Sequence, residues 1–389
     1  MEQKPLPFSI DLPPSPCFVV DGEGLRRNGR ILKHVQEESG CKIILALKGF
    51  SMHPSFPLLR EFLSGTTASS LNEALLGSLE FGGEVHVYAV AYTDAEFPNL
   101  LDLATHISFN SLNQWTHFRE QALSRPDVAY GLRINPEYSE VEVDLYNPCI
   151  PGSRFGMTAA DLKGTDGEGT DLTGISGLHF HTMCEQGSDT LERTLEQVEK
   201  KFAPLLHQMK WLNMGGGHHI TRPDYDVERL IRCVRHMRET FGLEVILEPG
   251  EAVALNAGWL VCEVLDVFET RGHHHAILDV SATAHMPDVL EMPYRPHILD
   301  SGEAGKKAHT YKLGGVSCLA GDRIGEYSFD RPLKRGQRLV FTDMAIYSMV
   351  KTSHFNGVAH PAIALWDPEA GGLNVTRTFG YQAFRDRLG

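Results

Sequence analysis

The chain has no C-x-x-C pair. Its seven cysteines (Cys17, Cys41, Cys149, Cys184, Cys233, Cys262 and Cys318) are scattered and odd in number, so neither a disulfide framework nor a zinc ribbon is indicated. A reducing cytoplasm is the expected compartment. There is also no run of about 18 apolar residues, which argues against a membrane span. The N-terminus, MEQKPLPFSIDLPPSP, is polar and proline-rich and lacks the apolar stretch of a signal peptide. Basic residues are in deficit: 36 Lys and Arg against 50 Asp and Glu leave a formal charge of −14. Nucleic acid is therefore not an expected partner, since phosphate binding needs a concentrated basic face. A cationic small molecule suits the field better. Internal repeats and low-complexity tracts are missing as well.

What remains is an ordinary globular composition spread over 389 residues, more than one hydrophobic core normally serves, so two domains are expected. CFVVDG (17–22) is a short apolar run, and residues 24–39 carry a helical pattern. CKIILALK (41–48) is almost continuously apolar, as in a parallel strand buried on both faces. Further strands are predicted at 85–90, 106–110, 128–135, 174–181, 211–217 and 245–250, with GTTASS (65–70) as a short strand or loop. Helical patterns fall between them at 55–63, 71–81, 97–104, 112–124, 189–208 and 224–241. About eight strands alternating with helices within 18–257 point to an α/β fold of the (β/α)8-barrel type. Periodicity alone leaves an open doubly wound sheet possible. From 258 the rhythm changes to short alternating strands with turn residues between them, an all-β domain over 258–389 joined by residues 1–17. Residues 158–173 read as an exposed loop.

Barrel enzymes carry their chemistry at the C-terminal ends of the strands. Lys48 ends the first buried strand, where an apolar wall lowers an amine's pKa and makes it nucleophilic; alone, it reads better as a snorkelling lysine. HFH puts His179 and His181 on one side of a strand. A structural histidine is the usual reading there, ring stacking comes second, and a metal site lacks a convincing third ligand. Gly215, Gly216 and Gly217 offer close backbone approach and amides suited to a phosphate, although tight turns need glycines too. Glu248 in EPG needs a cation or a protonated nitrogen if buried, and a salt bridge inside the barrel would also serve. Two irregular segments, 314–322 with Cys318 and Asp322 and 345–357 with Tyr347, Phe355 and Asn356, are where functional residues concentrate. HHH (273–275) reads as a solvated turn, because three adjacent side chains in extended chain cannot face one ion.

Taken in order, ALKG, GGGHH, EPGEA and HMPDVLEMPYRP resemble the fold-III pyridoxal-phosphate decarboxylases, the family of the diaminopimelate, ornithine and arginine enzymes, over essentially the whole chain. The resemblance implies a barrel followed by a β-sandwich-like domain, pyridoxal 5'-phosphate as cofactor, no metal, and a homodimer with shared active sites. It makes Lys48 the lysine that carries the cofactor and His181 the ring stacked on it. Gly215 to Gly217 and Tyr347 become phosphate contacts, and Glu248 the partner of the pyridine nitrogen. Cys318 is then a catalytic proton donor supplied by the second subunit, while Asp322, Phe355 and Arg154 in SRFG lie near the substrate.

Two departures narrow the substrate. The diaminopimelate branch reads EPGR, whose arginine holds a distal carboxylate; here Glu251 would attract an amine instead, and Asp288 adds a second anchor. After His181 the usual Gly-Ser is replaced by Thr182, Met183 and Cys184. These features most resemble the carboxynorspermidine/carboxyspermidine decarboxylase branch, which implies a polyamine precursor as substrate. The rivals are decarboxylation of ornithine, arginine or diaminopimelate, and, from a different class, a regulatory binding protein without activity. Racemization and a metal-binding role for the 19 histidines carry less weight.

Overall fold

The computed structural model describes residues 5–163, 171–292 and 294–389. Residues 164–170 of the loop expected at 158–173, and Pro293 of the HMPDVLEMPYRP segment, lie outside the described residues. The chain divides into two compact units, Arg26–Val253 on one hand and Met1–Leu25 with Ala254–Gly389 on the other.

Nine strands precede the change of rhythm: β1 (Cys17–Asp21), β2 (Lys42–Ala46), β3 (Gly65–Ala68), β4 (Glu84–Tyr88), β5 (His106–Phe109), β6 (Ala129–Arg133), β7 (Ile175–His179), β8 (Trp211–Asn213) and β9 (Glu244–Leu247). β2 to β9 close into a barrel, every neighbouring pair parallel. Its strand membership differs from the sequence reading at CFVV and settles GTTASS, read as a short strand or loop, as a strand. CFVV, expected with the barrel, instead pairs with two strands of the sheet unit. It is buried on both faces there, so an apolar run could not tell the two sheets apart. GTTA supplies the missing barrel strand, and its threonines are buried rather than turn-forming.

Side chains two apart share a face of a strand, so the barrel interior is filled in layers. The first residues of their strands, Lys42, Glu84, His106 and Glu244, form the floor. Above them Ile44, Trp211 and Ile246 pack together. Tyr88, Arg133, His179 and Asn213 end their strands on the same interior face. Trp211 fits only because β6 and β7 carry glycines opposite it: a Cβ at Gly131 or Gly177 would come within 2.3 or 2.0 Å of the indole.

The second unit continues with β10 (Gly258–Thr270), β11 (His273–Leu278), β12 (Gly302–Glu303), β13 (His309–Gly314), β14 (Arg323–Phe329), β15 (Arg338–Thr342), β16 (Ala362–Asp367) and β17 (Gly372–Arg377). Its nine strands run in the order β12-β14-β13-β11-β10-β1-β16-β17, with β15 on β10. The sheet is mixed, since β1 lies parallel to β16 and β11 to β13. The histidines expected as a turn, His273 to His275, begin β11 opposite Thr270 to Phe268. The turn itself is made by Arg271 and Gly272, both at positive φ. Among the described residues no helix is long and apolar enough to cross a membrane.

Candidate active site

Within the barrel unit, the strand ends bring Lys48, His181, Gly215–Gly217, Glu248 and Glu251 to one end, as the C-terminal ends of parallel strands must. Lys48 sits in the turn just after β2. Its side chain is open to solvent by surface area, yet protein mass surrounds the amine on most sides. That desolvation lowers its pKa, and the Arg133 guanidinium lowers it further, against the pull of Glu248 and Glu73. Among the described residues the amine makes no hydrogen bond or ion pair, which leaves a nucleophile that is partly neutral and free to react.

Glu248 follows β9 and is 9% exposed. Asn213 Nδ2 donates to its Oε1 at 2.6 Å, and His179 Nε2 stands 3.5 Å from Oε2. Burial alone would raise the carboxyl's pKa. His179 and the Asn213 hydrogen bond outweigh it, with a small contribution from His86, and hold Glu248 well below the usual carboxylate range. Burial pushes the pKa of His179 itself down, against the pull of Glu248. The site therefore presents a buried, ionised carboxylate that lacks a cation of its own. That is what a protonated ring nitrogen requires.

The glycine turn is tighter than its sequence suggests. A Cβ on Gly215 would lie 2.5 Å from the Phe180 carbonyl oxygen, one on Gly216 2.2 Å from that of Glu248, and one on Gly217 1.9 Å from that of Met183; Gly215 and Gly217 also sit at positive φ. Two of the three amides expected near a phosphate are engaged within the barrel unit. Gly215 N–H donates to Asn213 Oδ1 and Gly216 N–H to His181 Nδ1 at 3.0 Å. Only Gly217 has an amide without such a bond among the described residues. The glycines chiefly let this turn press against its neighbours. The bond from Gly216 makes Nδ1 of His181 an acceptor, selecting the Nε2–H tautomer. Burial, then Lys48 and Arg133, push the pKa of His181 well down, giving a neutral ring.

Three contributors went unread in the sequence, and a fourth, His179, stood in HFH as a structural histidine. Arg133, 4% exposed, is sandwiched between the rings of Tyr88 and Phe155 at 4.5 and 4.6 Å, while its guanidinium donates to the His181 carbonyl. Tyr88 donates to Asn110, whose amide reaches the Arg154 carbonyl; the Arg154 side chain itself is exposed and lies over Phe155. Asn213 and His179 complete the set. Their common signal is a polar residue at the C-terminal end of an otherwise apolar strand. At the same end His219 Nε2 meets Glu251 Oε2 at 3.1 Å, and Glu185 joins them, all three donor atoms within 4.8 Å of one another. Burial and the Glu251 charge raise the pKa of Glu185, as expected of two carboxylates sharing a space that a cation would relieve.

The sheet unit holds the other expected residues. Cys318 is exposed, and its amide donates to Asn356 Oδ1 at 2.7 Å. Asn356, next to the exposed Phe355, and Tyr347 both adopt positive φ, 59° and 44°, which for a tyrosine is strained backbone. Asp322 is 5% exposed and already engaged: Oδ1 accepts from the Ala282 amide, Oδ2 from the Ser317 amide and hydroxyl. It thus organises the Cys318 loop. Asp288 is paired with Lys351, so a substrate amine there would have to displace a lysine.

A family model described as "Pyridoxal-dependent decarboxylase, C-terminal sheet domain" matches residues 17–345. The chain belongs to the pyridoxal-dependent decarboxylases. It is 49% identical, over 97% of its length and 96% of the relative, to a carboxyaminopropylagmatine decarboxylase of Synechocystis sp.. It is 39% identical, over 95% and 97%, to a carboxynorspermidine/carboxyspermidine decarboxylase of Campylobacter jejuni. The crystal structure of carboxynorspermidine decarboxylase complexed with norspermidine from Campylobacter jejuni superposes with a TM-score of 0.87 at 38% identity, covering 96% of this chain and 99% of that one. As a member of this family the chain is a decarboxylase with a closed parallel barrel and a separate mixed-sheet domain. The side chains fit the family's cofactor: a reactive lysine, an ionised buried carboxylate and a backbone turn that admits nothing larger than glycine.

Proposed function

We propose that this chain removes the α-carboxylate of carboxynorspermidine or carboxyspermidine, giving norspermidine or spermidine, with pyridoxal 5'-phosphate as cofactor. The observation that carries the reading is the acidic pair Glu185 and Glu251 with His219, where the diaminopimelate branch has an arginine. A cationic amine relieves that pair and a distal carboxylate does not. When bound, the cofactor withdraws electrons from the bond that releases CO2. Lys48 supplies the amine that holds it, and Glu248 keeps a proton on its ring nitrogen. His181, its ring held by the Gly216 amide, would contact the cofactor, and the Gly217 amide would hold its phosphate. Arg133, locked between Tyr88 and Phe155, steadies the His181 backbone. Cys318 from a second copy of the chain returns the proton to the α-carbon, which requires a homodimer; the free cysteines suit a reducing cytoplasm.

A second reading has specific support. The relative at 49% identity acts, by its name, on carboxyaminopropylagmatine, whose distal group is a planar guanidinium, and two neighbouring carboxylates suit such a fork. Steady-state CO2 release on carboxynorspermidine, carboxyspermidine, carboxyaminopropylagmatine, diaminopimelate, ornithine and arginine decides among them. A carboxy-polyamine should give the highest kcat/KM. Preference for diaminopimelate would sink the argument from Glu251.

A further inference from the structure

His179 touches neither cofactor nor substrate in the proposed chemistry, and its surroundings are unusual for a core histidine. It is 2% exposed, and among the described residues neither ring nitrogen has a hydrogen-bond partner. Buried polar atoms are normally satisfied, and one that is not calls for an explanation. The Tyr88 ring meets it edge-on with centroids 5.1 Å apart, which fixes the direction of the imidazole. Nε2 is thereby held 3.5 Å from Glu248 Oε2, while Asn213 holds Oε1 from the adjacent strand.

We infer that His179 is a positioning residue for Glu248: its Nε2–H donates to Oε2 and, with Asn213 on Oε1, fixes the plane of the carboxylate that receives the cofactor's ring nitrogen. A movement of about 0.5 Å brings the pair into hydrogen-bond range. An apolar side chain of similar size would fill the space equally well but would leave Oε2 without a donor. The carboxylate could then rotate or take up a proton. Among the described residues, the titratable groups that interact with Glu248 include His179 on β7, Lys48 after β2, Tyr88 and His86 on β4, and His181. Of these, His179 is the first-ranked influence on the Glu248 charge after burial.

The inference rests on the decarboxylase reading, and its first test needs neither cofactor nor substrate. In cofactor-free protein, the Glu248 carboxylate band is isolated by infrared difference against Glu248→Gln and titrated with acid. His179→Phe should move its midpoint up by at least one pH unit, and His179→Gln, which keeps a donor, should restore most of it. In the loaded enzyme His179→Phe should lower kcat about 10–100-fold with KM little changed, and His179→Gln should recover to within about fivefold. An unmoved titration in a folded His179→Phe protein overturns the inference. So does equal loss of kcat in both variants without a titration shift, which would mean packing alone. If His179→Phe does not fold, His179→Asn takes its place: its shorter donor should give an intermediate midpoint, and an unshifted one overturns the inference. Failure of the functional reading looks different, because wild-type protein would then release no CO2 from any carboxy-polyamine whatever the titration gave.

Discussion

The two ends of the barrel use the same residue types to opposite ends. On the floor Lys42 lies between Glu84 at 2.5 Å and Glu244 at 2.7 Å. His86 Nε2 meets the other oxygen of Glu84 at 2.9 Å, and the His86 ring stacks on His106 with centroids 4.0 Å apart. Each of these carboxylates has a lysine within reach, so the floor is complete without a ligand. At the other end, among the described residues, Lys48 makes no ion pair, Glu248 has one firm donor and His179 no hydrogen-bond partner. Groups at that end are held in costly, reactive states, and side chains with shifted pKa values and unfilled hydrogen-bond capacity gather where a ligand is meant to complete them. Composition alone would not separate the two ends; the pairing does.

That contrast predicts catalytic collapse from changes at one end and loss of stability alone from changes at the other. Lys48→Ala should have the largest effect, a drop in CO2 release of about a thousandfold or more, together with loss of the cofactor absorbance that the lysine linkage gives. An unchanged spectrum would remove Lys48 from its role. Glu248→Gln keeps the shape and removes the charge, and kcat should fall about 10²–10³-fold in stopped-time CO2 assays. Gly217→Ala forces a Cβ against the Met183 carbonyl at φ +84°; strain of about 1–3 kcal/mol should weaken cofactor binding roughly tenfold or more, read by fluorescence titration.

Changes on the floor should be quieter. Lys42→Met breaks a partly exposed ion-pair group and should cost about 1 kcal/mol in urea unfolding while kcat stays within twofold. A fall in kcat as large as that of Glu248→Gln would erase the distinction between the ends. The smallest effect is in pH. Burial pushes the His106 pKa down to about 3, so the unfolded chain takes up a proton near pH 6.5 while the folded barrel does not. Its contribution to stability is present above pH 6.5 and is lost as the pH falls toward 3. Glu84 adds to the slope lower down: its pKa, held at about 2 mainly by His86 and Lys42 against burial, withdraws stability as the pH falls below about 4.5. His106→Phe should reduce the slope of the stability profile between pH 6.5 and about 3 and leave the contribution of Glu84 below about 4.5.

The alternation of strands and helices was legible because parallel strands buried on both faces are written as unbroken apolar runs. The same property hid the membership of β1, which is equally apolar in a different sheet. β3 was half-hidden because GTTA looks like a turn until its neighbours bury it. At the site, Lys48, His181 and Glu248 stood out through short motifs that resemble a family. Arg133 and Asn213 did not, and His179 stood in HFH only as a structural histidine, because what unites them is lateral: each ends a different strand on one interior face. That adjacency exists only once the register of β6, β7, β8 and β9 is set. The internal hydrogen bonds of Gly215 and Gly216 escaped the sequence for a related reason. A run of glycines says that backbone comes close to something, and only the fold says that it is backbone meeting backbone.

Trp211 carries the same logic into the assembly of the barrel. Its indole occupies room left by Gly131 and Gly177 on the two preceding strands, and its Nε1–H donates to Ser176 Oγ. A slip of one residue in any of the three strands would turn the indole or the glycines to the other face, leaving a hole or a collision. The tryptophan thus works as a key that three separate stretches of chain must be cut to admit. Closure in the correct register is checked near the middle of the barrel, before the residues that end those strands can line up to do chemistry.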